Sequence, residues 1–580
     1  MKEYVWMRQG EVFPVTDKEF LALLNQNQIR ALCPTGEPER QMVSQMELLL
    51  DERYVANGIV VERGLFGEAG GRNMRLPAKW EYELALRVAE MVPIVLLPEG
   101  AVPRQAWPLG MSEQEKTASP WDSFCTDAYV TGRYSAGLKE CGVFETVLEA
   151  VLAEGMLAER AEAVQQFLGE MITHTGKYYR YYDATQPILI YLGLTECYNI
   201  LNVFAENLAA ELRKQGNRVE FYDTNTEDVQ GLTRLLGKRY KASIGFQTWI
   251  MSVRRADNTT FFQDMIGGPK YNFIVDHPIW LQEQLQHVPA RFYALTHDRN
   301  YQKFIQKYNR DVCGTYLLPP GGRNLAWRGE DGLRTCDVTF LGTYGNYRKN
   351  LRMIGKWKPQ TRHLANHFLY HMRKTPNLPA ETAFEKSLAD YDLQVPEKLF
   401  LSLFGEMKAA MQCMMYYYRE KVIGEILGAG IELHVYGDSW KESPFFQNQY
   451  LKIHPEVLGD EAVSVLQNSK ISLNVMAWHK DGFTERLADS MLAGAVVVSD
   501  RSTQLEEFYA DEMALFDLED LQVVPEILRR LLKNEDERSM MAQRAREKAL
   551  AEDTWEVRAK QLLKIIETES GNYGADKDFQ

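Results

Sequence analysis

Residues 471–500 read ISLNVMAWHKDGFTERLADSMLAGAVVVSD. The pattern of this stretch predicts a short apolar strand over residues 471–476, a polar loop, a helix that starts near Gly482, and a second apolar strand over residues 496–499. A strand–loop–helix–strand unit is the building block of a parallel, doubly wound sheet. Ligands of such sheets bind in the loops that follow the carboxyl ends of the strands. The loop before the helix is therefore the first candidate site.

The start of this helix is suited to a phosphorylated ligand. We expect the backbone N–H groups from Gly482 to Glu485 to be free, because the first N–H groups of a helix have no partner within it. The helix dipole adds positive potential at the same place. Asp481 and Asp489, eight residues apart, lie on either side of the helix start. These features predict an anionic ligand held near two carboxylates.

The motif resembles the donor-site signature of retaining GT-B glycosyltransferases of the group 1 type. Their pattern is an acid, Gly-Phe-Gly, a second acid eight residues after the first, and then Ala-Met-Ala-Ala-Gly. Here the matching segments are Asp481-Gly482-Phe483-Thr484 and Asp489-Ser490-Met491-Leu492-Ala493-Gly494. Both family glutamates are aspartates in this chain, and Thr replaces the second Gly. The variant with Thr followed by Glu-Arg resembles the CgeB-like branch of bacterial glycosyltransferases.

Length and composition describe a large globular protein. The 580 residues are too many for one hydrophobic core and predict two or three domains. Hydrophobic residues make up 45% of the chain and aromatic residues 11%, enough to form large cores. The net charge of −14 argues against a nucleic-acid-binding protein, whose affinity depends on basic surface patches.

Nothing in the sequence indicates export or membrane insertion. The opening segment MKEYVWMRQGEV lacks the apolar core of a signal peptide, and no later apolar run is long enough to span a membrane. The seven cysteines are scattered and contain no CxxC pair, which is typical of a reduced protein. We therefore expect a cytoplasmic protein without a transmembrane segment.

The pattern of predicted strands, helices and loops divides the chain into four regions. Residues 1–180 predict an accessory α/β domain of unknown role, and residues 181–335 predict a Rossmann-like, acceptor-side domain. Residues 336–568 predict a second Rossmann-like domain for the nucleotide-sugar, with a helical insertion over about residues 350–415. Residues 569–580 predict a disordered tail. The fold class is thus α/β, with two doubly wound GT-B domains facing a cleft.

The family resemblance covers about residues 185–568. It implies that residues 315–322, TYLLPPGG, form the turn before the interdomain connection. It also implies that the terminal helix, over DTWEVRAKQLLKIIE, crosses back to the first domain. The chain contains neither Gly-x-Gly-x-x-Gly nor a Gly-x4-Gly-Lys-Ser/Thr loop, so dinucleotide-binding and P-loop interpretations lose support.

Basic residues are the candidates for binding the diphosphate of a nucleotide-sugar. The resemblance assigns this role to basic residues after the Gly of the second domain's first strand, which here are Gly342, Arg348 and Lys349. Arg486 is a further candidate beside the helix start. A solvated basic loop is the alternative interpretation of these residues.

The acids and the loop after the next strand complete the expected donor site. The family pattern gives ribose binding to Asp489, because an ionised acid can accept from both hydroxyls. Asp481 would face the sugar or the reaction centre, or serve only as a helix-start charge. Glu485 has a longer side chain and competes for either role. Tyr436 and Gly437 would line the nucleotide pocket.

The first Rossmann-like domain offers a candidate catalytic turn. Asp276-His277-Pro278 follows the strand FIV and resembles the His-containing turn that closes over the donor sugar in this family. His277 would bond the sugar or the leaving phosphate, and Asp276 would be the base for an acceptor hydroxyl in an inverting mechanism. A structural histidine is the alternative. Thr296-His297-Asp298 has a similar pattern.

Neither a metal site nor a cofactor is expected. His363, His367 and His371 fall at four-residue spacing, but the first and third are about 12 Å apart on a helix, too far for one ion. We expect them to form a structural or surface stripe. Asp576-Lys577-Asp578 imitates an Asp-x-Asp metal motif but follows no strand.

The resemblance implies a metal-independent glycosyltransferase that moves a sugar, of hexosyltransferase type, from a nucleotide diphosphate sugar such as a UDP-sugar to an acceptor hydroxyl. It favours retention and an acceptor that is a surface polymer or a protein. The alternatives are a catalytically degenerate binding subunit and a GT-B-fold nucleotide-sugar epimerase. By elimination, the N-terminal domain would select the acceptor, and it could also mediate oligomerisation.

Overall fold

The computed structural model of the chain describes most of the sequence. The described residues are 2–8, 11–35, 41–74, 76–106, 119–141, 143–157, 164, 167, 184–193, 199–226, 232, 235, 238–254, 261–326 and 334–574. The Asp576-Lys577-Asp578 motif lies outside them. The chain forms two compact units, one of Met1–Tyr179 with Asp228–Lys238 and the other of Arg180–Glu227 with Arg239–Gln580.

The first unit is an α/β domain around one mixed sheet. Within the described residues this sheet has six strands in the order β2-β1-β5-β3-β6-β4, and only β3 and β6 pair in parallel. The strands are β1 (Tyr4–Arg8), β2 (Glu11–Pro14), β3 (Ala31–Thr35), β4 (Gln41–Val43), β5 (Ile59–Glu62) and β6 (Ile94–Pro98). The helices are Lys18–Gln26, Gln45–Leu50, Arg63–Glu68, Trp80–Ala89, Pro120–Arg133, Ser135–Glu140 and Phe144–Leu157.

The second unit opens with a parallel sheet. Its six strands, among the residues described, lie in the order β12-β11-β10-β9-β7-β8. They are β7 (Ile188–Leu192), β8 (Val219–Asp223), β9 (Ala242–Phe246), β10 (Lys270–Ile274), β11 (Phe292–Thr296) and β12 (Gly314–Leu317). The associated helices are Ile200–Lys214, Gln282–Leu285 and Arg299–Tyr308. Most of these strands are buried apolar runs, as expected for a parallel sheet covered on both faces.

A second parallel sheet follows in the same unit, with the order β15-β14-β13-β16-β17-β18 over residues 334–574. Its strands are β13 (Cys336–Phe340), β14 (Leu433–Tyr436), β15 (Leu451–His454), β16 (Ser469–Asn474), β17 (Val496–Asp500) and β18 (Met513–Phe516). Strand order reverses at β13, so the crevice between β13 and β16 is a topological switch point. The structure therefore has the predicted α/β architecture, with two Rossmann-like doubly wound domains and an N-terminal α/β region.

Helices surround this second sheet. The chain between β13 and β14 is almost entirely helical, and the later helices alternate with strands or follow them. The helices are Tyr347–Ile354, Pro359–Lys374, Ala380–Ala389, Glu397–Glu406, Lys408–Gly428, Asp460–Gln467, Glu485–Leu492, Thr503–Phe508, Val523–Lys533, Glu535–Glu552 and Trp555–Gly574.

The terminal helix, Trp555–Gly574, crosses back to the first Rossmann-like domain. Trp555, Ala559, Leu562 and Ile566 are buried in the core that contains β7, β9, β10 and β11. The predicted tail was wrong in part, because residues 569–574 continue this helix. The cause is tertiary packing: the same face that buries Ile566 keeps the next turns helical, and Ser570 is also buried.

No helix in the described part of the chain combines the length and the apolar composition that a membrane span requires.

Candidate functional site

The candidate site lies at the switch point of the second sheet. The loop after β16 carries the motif, and Asp500, at the end of β17, holds this loop in place. Its two carboxylate oxygens accept from the backbone N–H groups of Met476 at 2.7 Å and Ala477 at 2.8 Å. Ala477 has a φ of 62°, a left-handed conformation that an alanine adopts only when its surroundings require it. The loop is therefore a fixed structure.

The helix Glu485–Leu492 forms because its apolar residues fall on one side. Leu487, Ala488 and Met491 are fully buried in a cluster with Phe483. Thr484 is the N-cap residue, but its side chain makes no capping bond, and its hydroxyl oxygen is buried without a hydrogen-bond partner. The start of this helix therefore contains a buried polar group without a hydrogen-bond partner.

The loop after β11 contacts this motif directly, so the two Rossmann-like domains meet here. Asp298 and Gly482 form an antiparallel bridge, and the Phe483 N–H donates to the His297 carbonyl at 3.0 Å. A Cβ at position 482 would lie 2.8 Å from Asp298 Oδ2, so glycine is needed for this approach. The expectation that all amides from Gly482 to Glu485 are free was wrong for Phe483, because its amide pairs with the first domain.

The Asp481 side chain points toward the first Rossmann-like domain. Its Oδ1 accepts from Arg299 Nε at 2.8 Å and from Arg299 Nη2 at 2.7 Å, and Lys303 Nζ lies 3.7 Å from Oδ2. The carboxylate is buried, and its backbone N–H donates to Asp298 Oδ2 at 3.1 Å. In this arrangement Asp481 is an interdomain ion-pair residue.

Asp489 is also held by an arginine. Its Oδ1 accepts from the Arg323 backbone N–H at 2.7 Å, and its Oδ2 accepts from the Arg323 guanidinium at 2.5 Å. Arg323 follows Gly321 and Gly322 in the interdomain connection, where the Gly322 N–H donates to the Asp553 carbonyl at 2.7 Å. Asp489 is only 5% exposed. Asp489 therefore lies against the segment that connects the two Rossmann-like domains.

Glu485 lies one helical turn before Asp489 on the same face. Its carboxylate forms no ion pair with any described residue, and its one hydrogen bond comes from its own backbone N–H. Burial raises its pKa, and Asp489 raises it further, while Arg486 and Arg323 lower it. The side chain is partly exposed. Apart from its own backbone N–H, no described residue is seen to use the acceptor capacity of the Glu485 carboxylate.

Two guanidiniums lie together at the end of β16. Arg486 donates to Asn474 Oδ1 at 3.3 Å, and Arg419 Nε donates to the Val475 carbonyl at 3.4 Å. Burial, and after it the charge of the nearby Arg486, lowers the Arg419 pKa to about 10. Neither arginine forms an ion pair within the described residues. This pair of charges is suited to an anion.

The sequence analysis missed Arg419, although a signal was present. Residues four positions before and after it, Met415 and Ile423, are buried on the helix Lys408–Gly428. A charged residue within such an apolar stripe is unusual and indicates a role for its charge.

The other predicted phosphate ligands already have acidic partners. Arg348 forms a two-bond pair with Glu420, each bond 2.8 Å long, and Lys349 bonds Glu442 at 2.7 Å. Gly342 accepts at its carbonyl from Trp440 Nε1 at 2.9 Å. These bonds position the loop after β13.

The predicted nucleotide-pocket residues lie after β14. The Tyr436 ring stacks on His454 with 4.8 Å between centroids, and burial raises the Tyr436 pKa to about 12. Gly437 has a φ of 104°, a conformation that favours glycine, and its N–H donates to the His454 carbonyl. The loop after β14 is thereby fixed at the same sheet edge as the motif.

His277 and Asp276 follow β10, but they have different surroundings. His277 is buried; its Nδ1 accepts from the Ile279 N–H at 3.2 Å, and its Nε2 lies 3.2 Å from Glu381 Oε2. Both ring nitrogens are thus used in structural contacts. Asp276 accepts from Gln247 Nε2 at 3.0 Å, and burial raises its pKa. Of the two, only Asp276 has a carboxylate whose pKa burial raises.

A buried polar cluster joins the two domains beside the motif. His297 Nε2 lies 3.1 Å from His479 Nδ1, and Tyr301 Oη lies 2.9 Å from the same nitrogen. Burial lowers the His297 pKa to about 4 and the Lys480 pKa to about 8, and the Lys480 ammonium is buried without a hydrogen-bond partner. Sequence analysis did not single out His479 or Lys480, although both directly precede Asp481.

The histidine stripe pairs with an acid. His367 Nδ1 and His371 Nε2 lie 2.8 Å and 2.7 Å from the same oxygen of Asp390. Among the described residues, no group of three or more His, Cys, Asp or Glu is arranged to hold a metal ion.

One family model is similar to part of this unit. Residues 419–564 match the family described as "Glycosyl transferase-like", a segment that starts at Arg419 and includes the whole motif. This match supports a glycosyltransferase. No curated protein matches the chain.

Solved structures of low identity also resemble the chain. Sucrose-phosphate synthase from Thermosynechococcus elongatus is 10% identical, with 67% of this chain and 100% of that chain covered and a TM-score of 0.41. An α-glucosyltransferase in complex with UDP-glucose and DNA containing an abasic site is 11% identical, with 66% and 99% covered and a TM-score of 0.40. TarM is 11% identical with a TM-score of 0.32; the match covers 56% of this chain but only 54% of the length of TarM.

Proposed function

We propose that the chain is a glycosyltransferase that moves a sugar from a nucleotide diphosphate sugar to an acceptor hydroxyl without a metal ion. The observation that carries the proposal is the pair of guanidiniums, Arg419 and Arg486, at the end of β16 within the family match. Two mutually repelling, partly buried cations without acidic partners are stabilised by a dianion. A diphosphate beside a helix start meets that description.

The remaining parts of the reaction follow from the same site. The diphosphate is the leaving group, and the two arginines stabilise the charge that develops on it as the bond to the sugar breaks. The resemblance supports transfer with retention of anomeric configuration, in which the acceptor proton passes to the departing phosphate. A hexosyl donor such as a UDP-sugar and an acceptor on a surface polymer or protein remain part of the proposal, and so does a cytoplasmic location.

The test is a thermal-shift screen against UDP-, GDP-, dTDP- and CMP-sugars, with and without EDTA. A ligand that binds only the folded state raises the melting temperature. We expect one nucleotide series to raise it, with no effect of EDTA. Arg419→Gln and Arg486→Gln should each weaken binding about 10- to 100-fold, the value of one charge-assisted hydrogen bond.

Arg310→Gln is the matched control. It removes an arginine charge from an exposed pair with Glu397, away from the site, and should leave the shift unchanged. The proposal is wrong if no nucleotide-sugar changes the melting temperature, or if EDTA abolishes the shift.

A catalytically inactive binding subunit is the second candidate. The observation that favours it is that both motif aspartates are paired with arginines, Asp481 with Arg299 and Asp489 with Arg323. Release of free nucleotide from a bound donor, in water or with acceptor mixtures, separates the candidates: turnover identifies the transferase, and binding without turnover identifies the binding subunit.

A further inference from the structure

We propose that a basic patch on the second Rossmann-like domain docks on the surface of an anionic lipid bilayer. The patch consists of Leu351, Arg352, Met353, Lys356 and Lys358, on the helix Tyr347–Ile354 and in the turn that follows it. Docking at a membrane goes beyond the proposed function and does not depend on it.

The sequence around the basic patch is free of acids. Residues 338–380 contain eight lysines and arginines and no aspartate or glutamate. The whole chain has 80 acids in 580 residues and a net charge of −14, so a stretch of this length would contain about six acids at the average frequency. A run of one charge sign within a chain of the opposite sign indicates a surface for an oppositely charged partner. The partner of this run is therefore anionic.

Protein contacts neutralise only part of this positive charge. Glu420 binds Arg348 through two bonds of 2.8 Å, and Glu442 binds Lys349 at 2.7 Å. The three cations of the basic patch are exposed, and their side chains form no ion pair with any residue that the structure describes. Their charge is therefore available to an external partner.

The helix Tyr347–Ile354 presents apolar side chains together with the charge. Asn350 and Ile354 are its buried residues. Because successive residues of a helix are about 100° apart, Arg352 lies opposite this buried side, with Leu351 on one flank and Met353 on the other. Leu351 is 42% exposed and Met353 is 45% exposed. The outer face thus combines a cation with two exposed apolar side chains, and the other two cations follow in the next turn.

A bilayer that contains acidic phospholipids offers a partner for both kinds of side chain. Each lysine or arginine near its surface strengthens binding about fivefold, and the boundary between headgroups and acyl chains takes up apolar side chains. A soluble polyanion would use the cations but leave Leu351 and Met353 in water. A stable protein interface takes about 20–30 residues on each side, far more than the basic patch provides. The combination therefore favours a bilayer.

The test is co-sedimentation with vesicles of phosphatidylcholine alone and of phosphatidylcholine mixed with an equal amount of phosphatidylglycerol. The wild type should bind only the anionic vesicles, and added salt should release it. The triple variant Arg352→Gln/Lys356→Gln/Lys358→Gln should bind them about 100-fold more weakly. The double variant Leu351→Gln/Met353→Gln keeps every charge and should bind about tenfold more weakly, because the apolar contribution is lost.

The matched control is the triple variant Lys214→Gln/Lys533→Gln/Lys560→Gln. It removes the same amount of charge from exposed positions outside the basic patch, and it should bind anionic vesicles as the wild type does. All the substituted side chains are exposed, so each variant should fold, and its melting temperature verifies this.

Four results would overturn the proposal. The wild type could fail to bind anionic vesicles, or bind neutral vesicles equally well. The control could weaken binding as much as the triple variant of the patch, which would make overall charge responsible. The double variant could bind as tightly as the wild type, which would identify the partner as a soluble polyanion. None of these results bears on the thermal shift with nucleotide-sugars, so the proposed function is tested separately.

Discussion

Arg299 and Asp481 join the two Rossmann-like domains through an ion pair, with Asp481 Oδ1 at 2.8 Å from Arg299 Nε and 2.7 Å from Arg299 Nη2. The arginine is 27% exposed and the aspartate 9% exposed at their side chains. This pair occupies the first acid of the motif, so the domain contact and the ligand site share a residue. Movement of the domains would change what Asp481 can bind.

The ion pair between Arg299 and Asp481 should contribute a measurable coupling energy to the free energy of unfolding. Arg299→Ala and Asp481→Asn should each lower the free energy of unfolding, and the double variant should be destabilised by less than the sum of the two. The coupling energy should be about 1 kcal/mol, since one partner is partly exposed and solvent screens the pair. Urea unfolding of the four proteins measures it. Full additivity would show that the two side chains do not interact.

Replacement of the buried Lys480 by methionine should raise the free energy of unfolding. Its ammonium is buried, and burial lowers its pKa to about 8, below the ordinary value of 10.5. The unfolded state therefore binds more protons between pH 8 and 10.5, and the cost of burying the charge is fully present below pH 8 and disappears as pH rises to 10.5. Lys480→Met should be more stable than the wild type by up to about 3 kcal/mol at pH 7.

The same substitution provides its own control, because the difference should vanish in urea unfolding at pH 10.5. A Lys480→Met protein that is less stable at pH 7 would mean that the ammonium stabilises Asp298 and Asp500, the acids nearest to it. The loss of that attraction would then outweigh the gain from removing a buried charge.

The contribution of His297 to the free energy of unfolding should depend on pH. Burial lowers its pKa to about 4, from an ordinary value of 6.5. Below pH 6.5 the unfolded state takes up a proton that the folded state does not, so the contribution of neutral His297 is present above pH 6.5 and is lost as pH falls toward 4. The wild-type minus His297→Gln difference in unfolding free energy should shrink by up to about 3 kcal/mol over that range.

The experiment compares the wild type with His297→Gln because Asp298 changes the free energy of unfolding with pH in the opposite direction. Burial raises its pKa to about 7, so its contribution improves as pH falls through 7, and it is present in both proteins. His479 and Lys480 also face this cluster and are common to both. Equal pH dependence of the two proteins would contradict the prediction, because it would show that His297 takes up its proton at the same pH in the folded and unfolded states.

Asp276 distinguishes the two stereochemical courses. With retention, the acceptor proton passes to the departing phosphate, so Asp276→Asn should keep the transfer rate within about tenfold of the wild type. With inversion, an enzyme base is needed, and its loss costs about 10²- to 10⁴-fold. NMR of the product's anomeric configuration, together with the rate of the variant, checks the prediction. An inverted product with a large loss of rate would identify Asp276 as the base.

Local pattern was sufficient to predict the two parallel sheets and the helix after the loop, although this helix begins at Glu485 and the pattern predicted a start near Gly482. Buried runs such as Val496–Asp500 alternate with amphipathic helices, and this alternation has few compact solutions. The boundaries were less accurate: β16 is Ser469–Asn474, whereas the pattern predicted residues 471–476. The helix beyond residue 568 could not be predicted either, because its stability comes from packing on a distant core.

The order of the elements and the acids around the start of the helix Glu485–Leu492 could be read from the sequence, because each depends on residues a few positions apart. The partners of these acids could not be read from it, because they come from the other Rossmann-like domain and from the connection between the domains. Arg299 reaches Asp481 across 182 residues and Arg323 reaches Asp489 across 166, and both pairs form only when the two domains meet. Glu485 is left without such a partner, and Arg419 joins Arg486, because chain folding sets these distances.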